Sequence, residues 1–326
     1  MEKSTSPLNS ILRNKSVTII LVLILVVVVA SLINPNYVSI DNIRTILFNC
    51  ALSGTISVGV GCLLISGNND LSCGAVGCMG GLIISLLMQT GMGWVPALLL
   101  TILFGCLAGG INATLATVCK MMPFIATLAM MSVWQGLGYI ISNNLTIMLN
   151  NEKFWAICTG DIFGVIPYAF LYACILMAIY GFILSSTKFG RKIYMVGGNR
   201  QAARLAGINS NKITTILMIN CSALAAFGGS ILAGRMHGGN PASVHGTQLT
   251  SITAVVMGGV AFGGGSGSML GAFFGVLLLN AFNNALTVVG LGAYWSMLAS
   301  GLLLVFALML DYGNTRRMEK SMKANA

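Results

Sequence analysis

Few residues in this chain have the type and neighbours that chemistry requires, and the most conspicuous is Asp70. It stands in the segment Ser66-Gly67-Asn68-Asn69-Asp70-Leu71-Ser72, and no other acidic residue occurs between Asp41 and Glu152. A carboxylate so isolated among apolar residues is costly unless it faces protein or water. With the amides of Asn68 and Asn69 and the hydroxyl of Ser72 beside it, the segment has two readings. It is a polar break lining a path for a polar solute, or a turn in which Asp70 caps the next helix. The two histidines, His237 and His245, have no cysteine or carboxylate close in sequence. A metal site wants three or four ligands, so no metal is assigned. Nine cysteines contain no Cys-x-x-Cys pair and read as small buried hydrophobes. No Gly-Lys pair occurs, so the chain has no P-loop for a nucleotide. No nucleophile elbow occurs either, and no catalytic residue is assigned.

A second group is basic. The loop Ser186–Lys212 holds Lys188, Arg191, Lys192, Arg200, Arg204 and Lys212. Within it, Asn199 is placed to cap a short helix and Gly207 to terminate it in the left-handed conformation. Between them lie about two turns of good helix formers, including Ala202, Ala203 and Arg204, followed by Ile208. Such a helix is too short to persist alone in water. Its small Ala-rich body suits a cleft on a cytoplasmic partner; the plainer reading is an ordinary basic loop. The polar stretch Asn143–Ile166 likewise suits either an extracellular partner or plain solvation.

The elements that position these residues must be helices in lipid. Of 326 residues, 56% are hydrophobic and 7% charged, where a soluble domain carries ~25% charge. That excess of apolar residues excludes disorder, and the glycines follow no Gly-X-Y period. Unbroken apolar runs such as Ile19–Ala30 contradict the alternation of a membrane β-barrel. About ten stretches approach the ~20 apolar residues that a crossing needs. They are Val17–Ile33, Arg44–Ser66, Ser72–Thr90, Pro96–Cys119, Phe124–Ser142, Pro167–Ser185, Ile213–Gly234, Leu249–Gly263, Ser268–Leu286 and Ala293–Leu310. The first has a basic flank but no small-x-small cleavage site, and reads as an uncleaved helix. Leu249–Gly263 is short, as a broken or re-entrant segment would be. Glycines four apart (Gly77 and Gly81; Gly105 and Gly109; Gly267, Gly271 and Gly275) predict close helix approach. The run Gly263–Gly267 reads as a flexible turn.

With the N-terminus inside and ten crossings, fourteen of the 17 basic residues fall inside; Arg44, Lys153 and Arg235 fall outside. The positive-inside rule is thereby satisfied. The net charge of +10 reports topology and not nucleic-acid binding. The expected fold is an all-α polytopic membrane protein with about ten transmembrane helices and both termini cytoplasmic. Its expected parts are a tail over 1–16, a membrane domain over 17–310 containing the cytoplasmic loop 186–212, and a tail over 311–326.

Four segments together resemble the permease subunits of ribose-type ABC sugar importers. They are Gly67-Asn68-Asn69-Asp70-Leu71-Ser72-Cys73-Gly74, Phe189-Gly190-Arg191 through Ile208, Ala254–Gly259 with the Gly-rich turn, and Asn283-Asn284 before the last helix. The resemblance spans roughly Pro35 to Asp311. It implies a homodimer of permeases in the bacterial inner membrane, a separate cytoplasmic ATPase that binds the ATP, and an extracytoplasmic substrate-binding protein. No cofactor is implied on this chain. The ATPase-coupling role would fall to Arg191, Lys192, Asn199, Ala202, Ala203, Arg204, Gly207 and Ile208. The pathway would take in Asn68, Asn69, Asp70, Ser72, Gln248, Asn283 and Asn284. Asn68-Asn69 replaces the family's usual Gly-Ile, and Gln248 and Thr250 replace an acidic pair. The solute thus stays open among pentoses, hexoses, sugar-like signals and other small polar solutes. On residues alone the alternative is a self-sufficient secondary transporter or channel.

Overall fold

A computed structural model describes residues 15–324 except His245. Lys3, Arg13 and nearly all of the expected 1–16 tail therefore lie outside the described residues, as does His245. The chain is almost wholly helical. In order it forms α1 (Lys15–Ile33), α2 (Ile40–Ile65), α3 (Cys73–Gln89), α4 (Trp94–Thr117), α5 (Pro123–Ser142), α6 (Glu152–Thr159), α7 (Tyr168–Ser186), α8 (Lys188–Gly198), α9 (Arg200–Leu205), α10 (Ser210–Arg235), α11 (Thr247–Met257), α12 (Met269–Val288) and α13 (Ala293–Ala324). Two-residue strands pair β1 (Ile147–Met148) with β4 (Gly238–Gly239), and β2 (Asp161–Ile162) with β3 (Ile166–Pro167), both antiparallel.

Among the described residues, six helices are long and apolar enough to cross a membrane: α2, α4, α5, α7, α10 and α12. The chain is a multi-pass α-helical membrane protein. Each expected stretch overlaps a helix, but α13 continues to Ala324, so the expected tail 311–326 begins as a prolongation of that helix. Helices α6 and α8 were not expected.

Burial divides the spans into two shells. α2, α10 and α12 are buried over 72%, 67% and 61% of their most apolar windows; α4, α5 and α7 over 28%, 22% and 22%. α2 packs on both α10 and α12, and α10 also lies against α3 and α4. The α4–α10 seam is close because Gly105 and Gly109 have no side chain. A Cβ on Gly109 would stand 2.6 Å from the Cα of Ile219. The expectation of close approach at this pair is met.

One arrangement occurs twice. α2, a break at Gly67–Ser72, short α3, then α4 and α5 are matched by α10, a break that begins at Met236, short α11, then α12 and α13. The two runs have opposite sense, the inverted repeat common among transporters. α2 ends where α8 and α9 lie, and α10 starts there; this is the basic end of the bundle. At 11 residues, α11 is about 16 Å long, half the ~30 Å hydrocarbon layer. The short eighth stretch is thus a half-helix preceded by a non-helical stretch in which Val244 is buried.

Candidate functional site

Asp70 sits at the centre of the first break, fully buried. Its Oδ1 accepts from the Ser72 N–H (2.8 Å) and the Ser72 hydroxyl (2.7 Å). The Ser222 hydroxyl of α10 donates to Oδ2 over 3.4 Å. Ser72 Oγ in turn accepts from Asn112 Nδ2 of α4 at 2.7 Å. The Leu71 N–H donates to Thr127 Oγ1 of α5 at 3.1 Å, and the Asp70 N–H to Asn69 Oδ1 at 2.9 Å. The cap position of α3 belongs to Ser72, not Asp70. Asp70 closes the turn just before it, the side-chain-to-backbone bond two residues on that Asp favours. One carboxylate thereby ties the break to α3 and α10, and through Ser72 to α4. Buried polar groups need such partners, since an unpaired one costs its desolvation.

Of the sequence-predicted pathway residues, the structure brings together those of the first break and Gln248. Gln248, on the first turn of α11, packs on Gly74, where a Cβ would lie 3.1 Å from the Gln248 Cδ. Its Nε2 contacts Met131 Sδ at 3.3 Å, and its Oε1 is buried without a hydrogen-bond partner. α3 and α11 therefore start side by side deep in the bundle and run to opposite ends. Asn68 stands nearer the basic end, donating to Ser66 Oγ (2.9 Å) and Thr214 Oγ1 (3.2 Å).

Asn283 and Asn284 are not part of this cluster. Asn284 Oδ1 accepts from Asn42 Nδ2 at 2.9 Å, and Asn283 Oδ1 accepts from the Ser300 hydroxyl at 3.2 Å. Both lie toward the far end of α12, pinning it to α2 and α13. A second buried node lies in the matching half of the repeat: Asn280 Nδ2 donates to Ser53 Oγ at 2.8 Å. Sequence reading missed Asn112, Thr127, Ser222 and Asn280. The signal present for Asn112 was a lone amide within an apolar helix; Asn280 shares α12 with Asn283 and Asn284.

The basic loop folds into two short helices. The expected one is α9, where Asn199 Oδ1 accepts from the Gln201 and Ala202 N–H groups at 3.0 Å each. Gly207 follows it with φ +77°. α8 precedes it, with Ile193 and Val196 buried and Arg191 and Lys192 exposed. Ala203, one of the residues given the coupling role, points inward at 1% exposure, in one buried cluster with Ile193, Val196 and Ile213. The reason is helical geometry: a two-turn helix lying on a surface must bury one face, and α9 buries the face that carries Ala203. Leu205 is the outward apolar residue, 90% exposed, amid exposed Arg200, Ala202 and Arg204. Ile208 is half-buried.

At the opposite end, Arg44 pairs with Asp161 (2.5 Å) and Arg235 lies 4.3 Å above the Phe48 ring. The His237 ring lies against Trp155 at 4.2 Å between centroids, tilted by 45°. Cys158 is buried in α6.

A family model described as the branched-chain amino acid transport system permease component matches residues 42–308. The chain is 32% identical to the ribose import permease of Bacillus subtilis, covering 89% of this chain and 90% of that protein. It is 32% identical to the ribose import permease of Haemophilus influenzae, covering 91% and 93%. It is 31% identical to an L-arabinose ABC transporter permease of Azospirillum brasilense, covering 94% and 89%. No solved structure matches the chain. A bundle with two broken helices, a basic two-helix loop at one end, and a match that runs from Asn42 to Leu308 place this chain in the branched-chain amino acid transport system permease component family.

Proposed function

We propose that this chain is the membrane subunit of an ATP-driven importer of a sugar or sugar-like small polar solute. The observation that carries this is the near-full-length match to ribose and arabinose permeases. The family description names branched-chain amino acids. The buried polar groups at the Asp70 break and on α11 are amides, hydroxyls and one carboxylate. Such groups suit a hydroxyl-rich solute better than an aliphatic side chain, since each sugar hydroxyl can exchange water for a protein partner.

In this reading the chain crosses the bacterial inner membrane ten times within 17–310, with α1, α3, α13 and the half-helix α11 together with the stretch before it completing the count. Both termini and the basic loop are cytoplasmic. Two copies form one translocation path. A separate ATPase docks on α8 and α9, where Arg191, Lys192, Asn199, Arg200, Arg204 and Leu205 form the outward face. A substrate-binding protein docks at the opposite end. The Asp70 and Gln248 breaks lie along the path, and Asn283 and Asn284 near its outer mouth. The ATPase drives alternation only through contacts that differ between its two states.

The test is reconstitution in vesicles with the ATPase and binding protein, using labelled ribose, arabinose and leucine. ATP-dependent uptake of a sugar is expected. Uptake that persists without ATP, or that favours leucine, overturns the reading.

A further inference from the structure

Three glycine turns, from parts of the chain far apart in sequence, meet at the basic end. The first is Gly67, where α2 breaks before Asp70. The second is Gly197-Gly198, which ends α8 of the docking loop. The third is Gly263-Gly264-Gly265, which follows half-helix α11. They touch backbone to backbone. A Cβ on Gly264 would stand 2.7 Å from the Cα of Gly67, and one on Gly265 would stand 2.8 Å from the Cα of Gly198. A Cβ on Gly197 would collide with the Ile65 carbonyl and stand 2.6 Å from the Gly265 nitrogen. Hydrogen bonds clamp the same place. The Gly265 N–H donates to the Ile65 carbonyl at 2.8 Å, and the Tyr194 hydroxyl of α8 donates to the Gly267 carbonyl at 2.8 Å.

A second strand of contacts runs in parallel. Arg200 of α9 donates to Thr214 Oγ1 at 3.0 Å, which also accepts from Asn68 Nδ2 at 3.2 Å. The docking loop thus reaches the Asp70 break both through glycine backbone and through a side-chain relay. It reaches the end of α11 through the glycines and Tyr194.

We propose that this glycine junction transmits the displacement of the docking loop to both membrane breaks at once, with Gly197 and Tyr194 as its positioning residues. Close-packed backbone has no rotatable side chain to absorb a shift, so a push on α8 must move its neighbours. Coupling between distant sites needs a contiguous set of contacts with two arrangements, and the two broken helices supply the element that can rearrange. The inference rests on the reading that an ATPase docks on α8 and α9.

The structure supplies an internal control. A Cβ on Gly198 would meet nothing within 4 Å, although it adjoins Gly197. The intact transporter, with ATPase and binding protein in vesicles, is compared as wild type, Gly197→Ala, Gly198→Ala and Tyr194→Phe. Gly197→Ala is expected to keep the ATPase bound and hydrolysing ATP at its basal rate, but to lose stimulation by the binding protein and about tenfold in uptake. Gly198→Ala is expected to match wild type. Tyr194→Phe, which adds no volume, is expected to lower solute moved per ATP about twofold to fivefold while assembly is unchanged. Wild-type uptake and stimulation in Gly197→Ala overturn the proposal. If Gly197→Ala fails to assemble, wild-type stoichiometry in Tyr194→Phe overturns it. A wild-type complex that does not bind the ATPase, or moves solute without ATP, refutes instead the docking reading underneath.

Discussion

The Asn112 amide donates to the Ser72 hydroxyl across 2.7 Å, and that hydroxyl donates onward to Asp70. A residue of α4 thus holds the start of α3 directly and reaches the carboxylate of the break through it. The chain places a charge-capable group deep in an apolar bundle, with donors from the start of α3 and from α10 and Asn112 of α4 behind them.

Asp70→Asn is expected to fold nearly as well as wild type. The amide oxygen can accept both Ser72 donors, and the amide nitrogen can donate to Ser222. Asp70→Ala strands the Ser72 N–H and hydroxyl, and should lower stability by about 1–3 kcal/mol. Thermal unfolding of the detergent-solubilised variants separates the two. Loss of uptake in a stable Asp70→Asn variant would assign the charge to the path itself.

The two faces of α9 should respond differently. Leu205→Asp alters a side chain that touches only solvent, so stability stays within about 0.5 kcal/mol. The ATPase should co-purify at least about tenfold less well, as when an interface anchor is removed. Ala203→Glu forces a long acid into a packed face and should destabilise the protein itself by about 2–4 kcal/mol. Equal retention of the ATPase by Leu205→Asp would move the docking surface elsewhere.

At the α4–α10 seam, Gly109→Val should destabilise by about 1–3 kcal/mol or more, because the helices must separate to admit it. Gly110→Ala, one residue on, adds a methyl to open space and should be neutral or slightly stabilising. Unfolding midpoints of the pair provide the comparison. Equal effects would contradict the seam.

The Arg44–Asp161 pair is partly exposed on both sides. A double-mutant cycle to alanine should give a coupling energy of about 0.2–1 kcal/mol, falling as salt is raised. A coupling several times larger would make the pair a structural clasp between α2 and the α6 region.

What the sequence by itself determined was local. Apolar runs of sufficient length marked the membrane helices, and Asn199 with Gly207 marked α9, because capping and hydropathy act over a few neighbouring residues. The four-residue glycine spacing at Gly105 and Gly109 announced a close helix contact, though not its partner. Hydropathy did not say which helices are central. α4 and α10 have nearly equal mean hydropathy, 2.0 and 1.9, yet 28% of one and 67% of the other is buried. A helix apolar all round carries no stripe to show which face meets protein and which meets lipid. Packing alone brought Asn112, Thr127 and Ser222 to the Asp70 break, turned Ala203 inward, and set Asn283 and Asn284 apart from Asp70. It also brought Gly67, Gly197 and Gly264 together, three turns that look like separate loops in sequence. These contacts join residues tens to hundreds of positions apart, and only the close approach of helices and turns in three dimensions decides them.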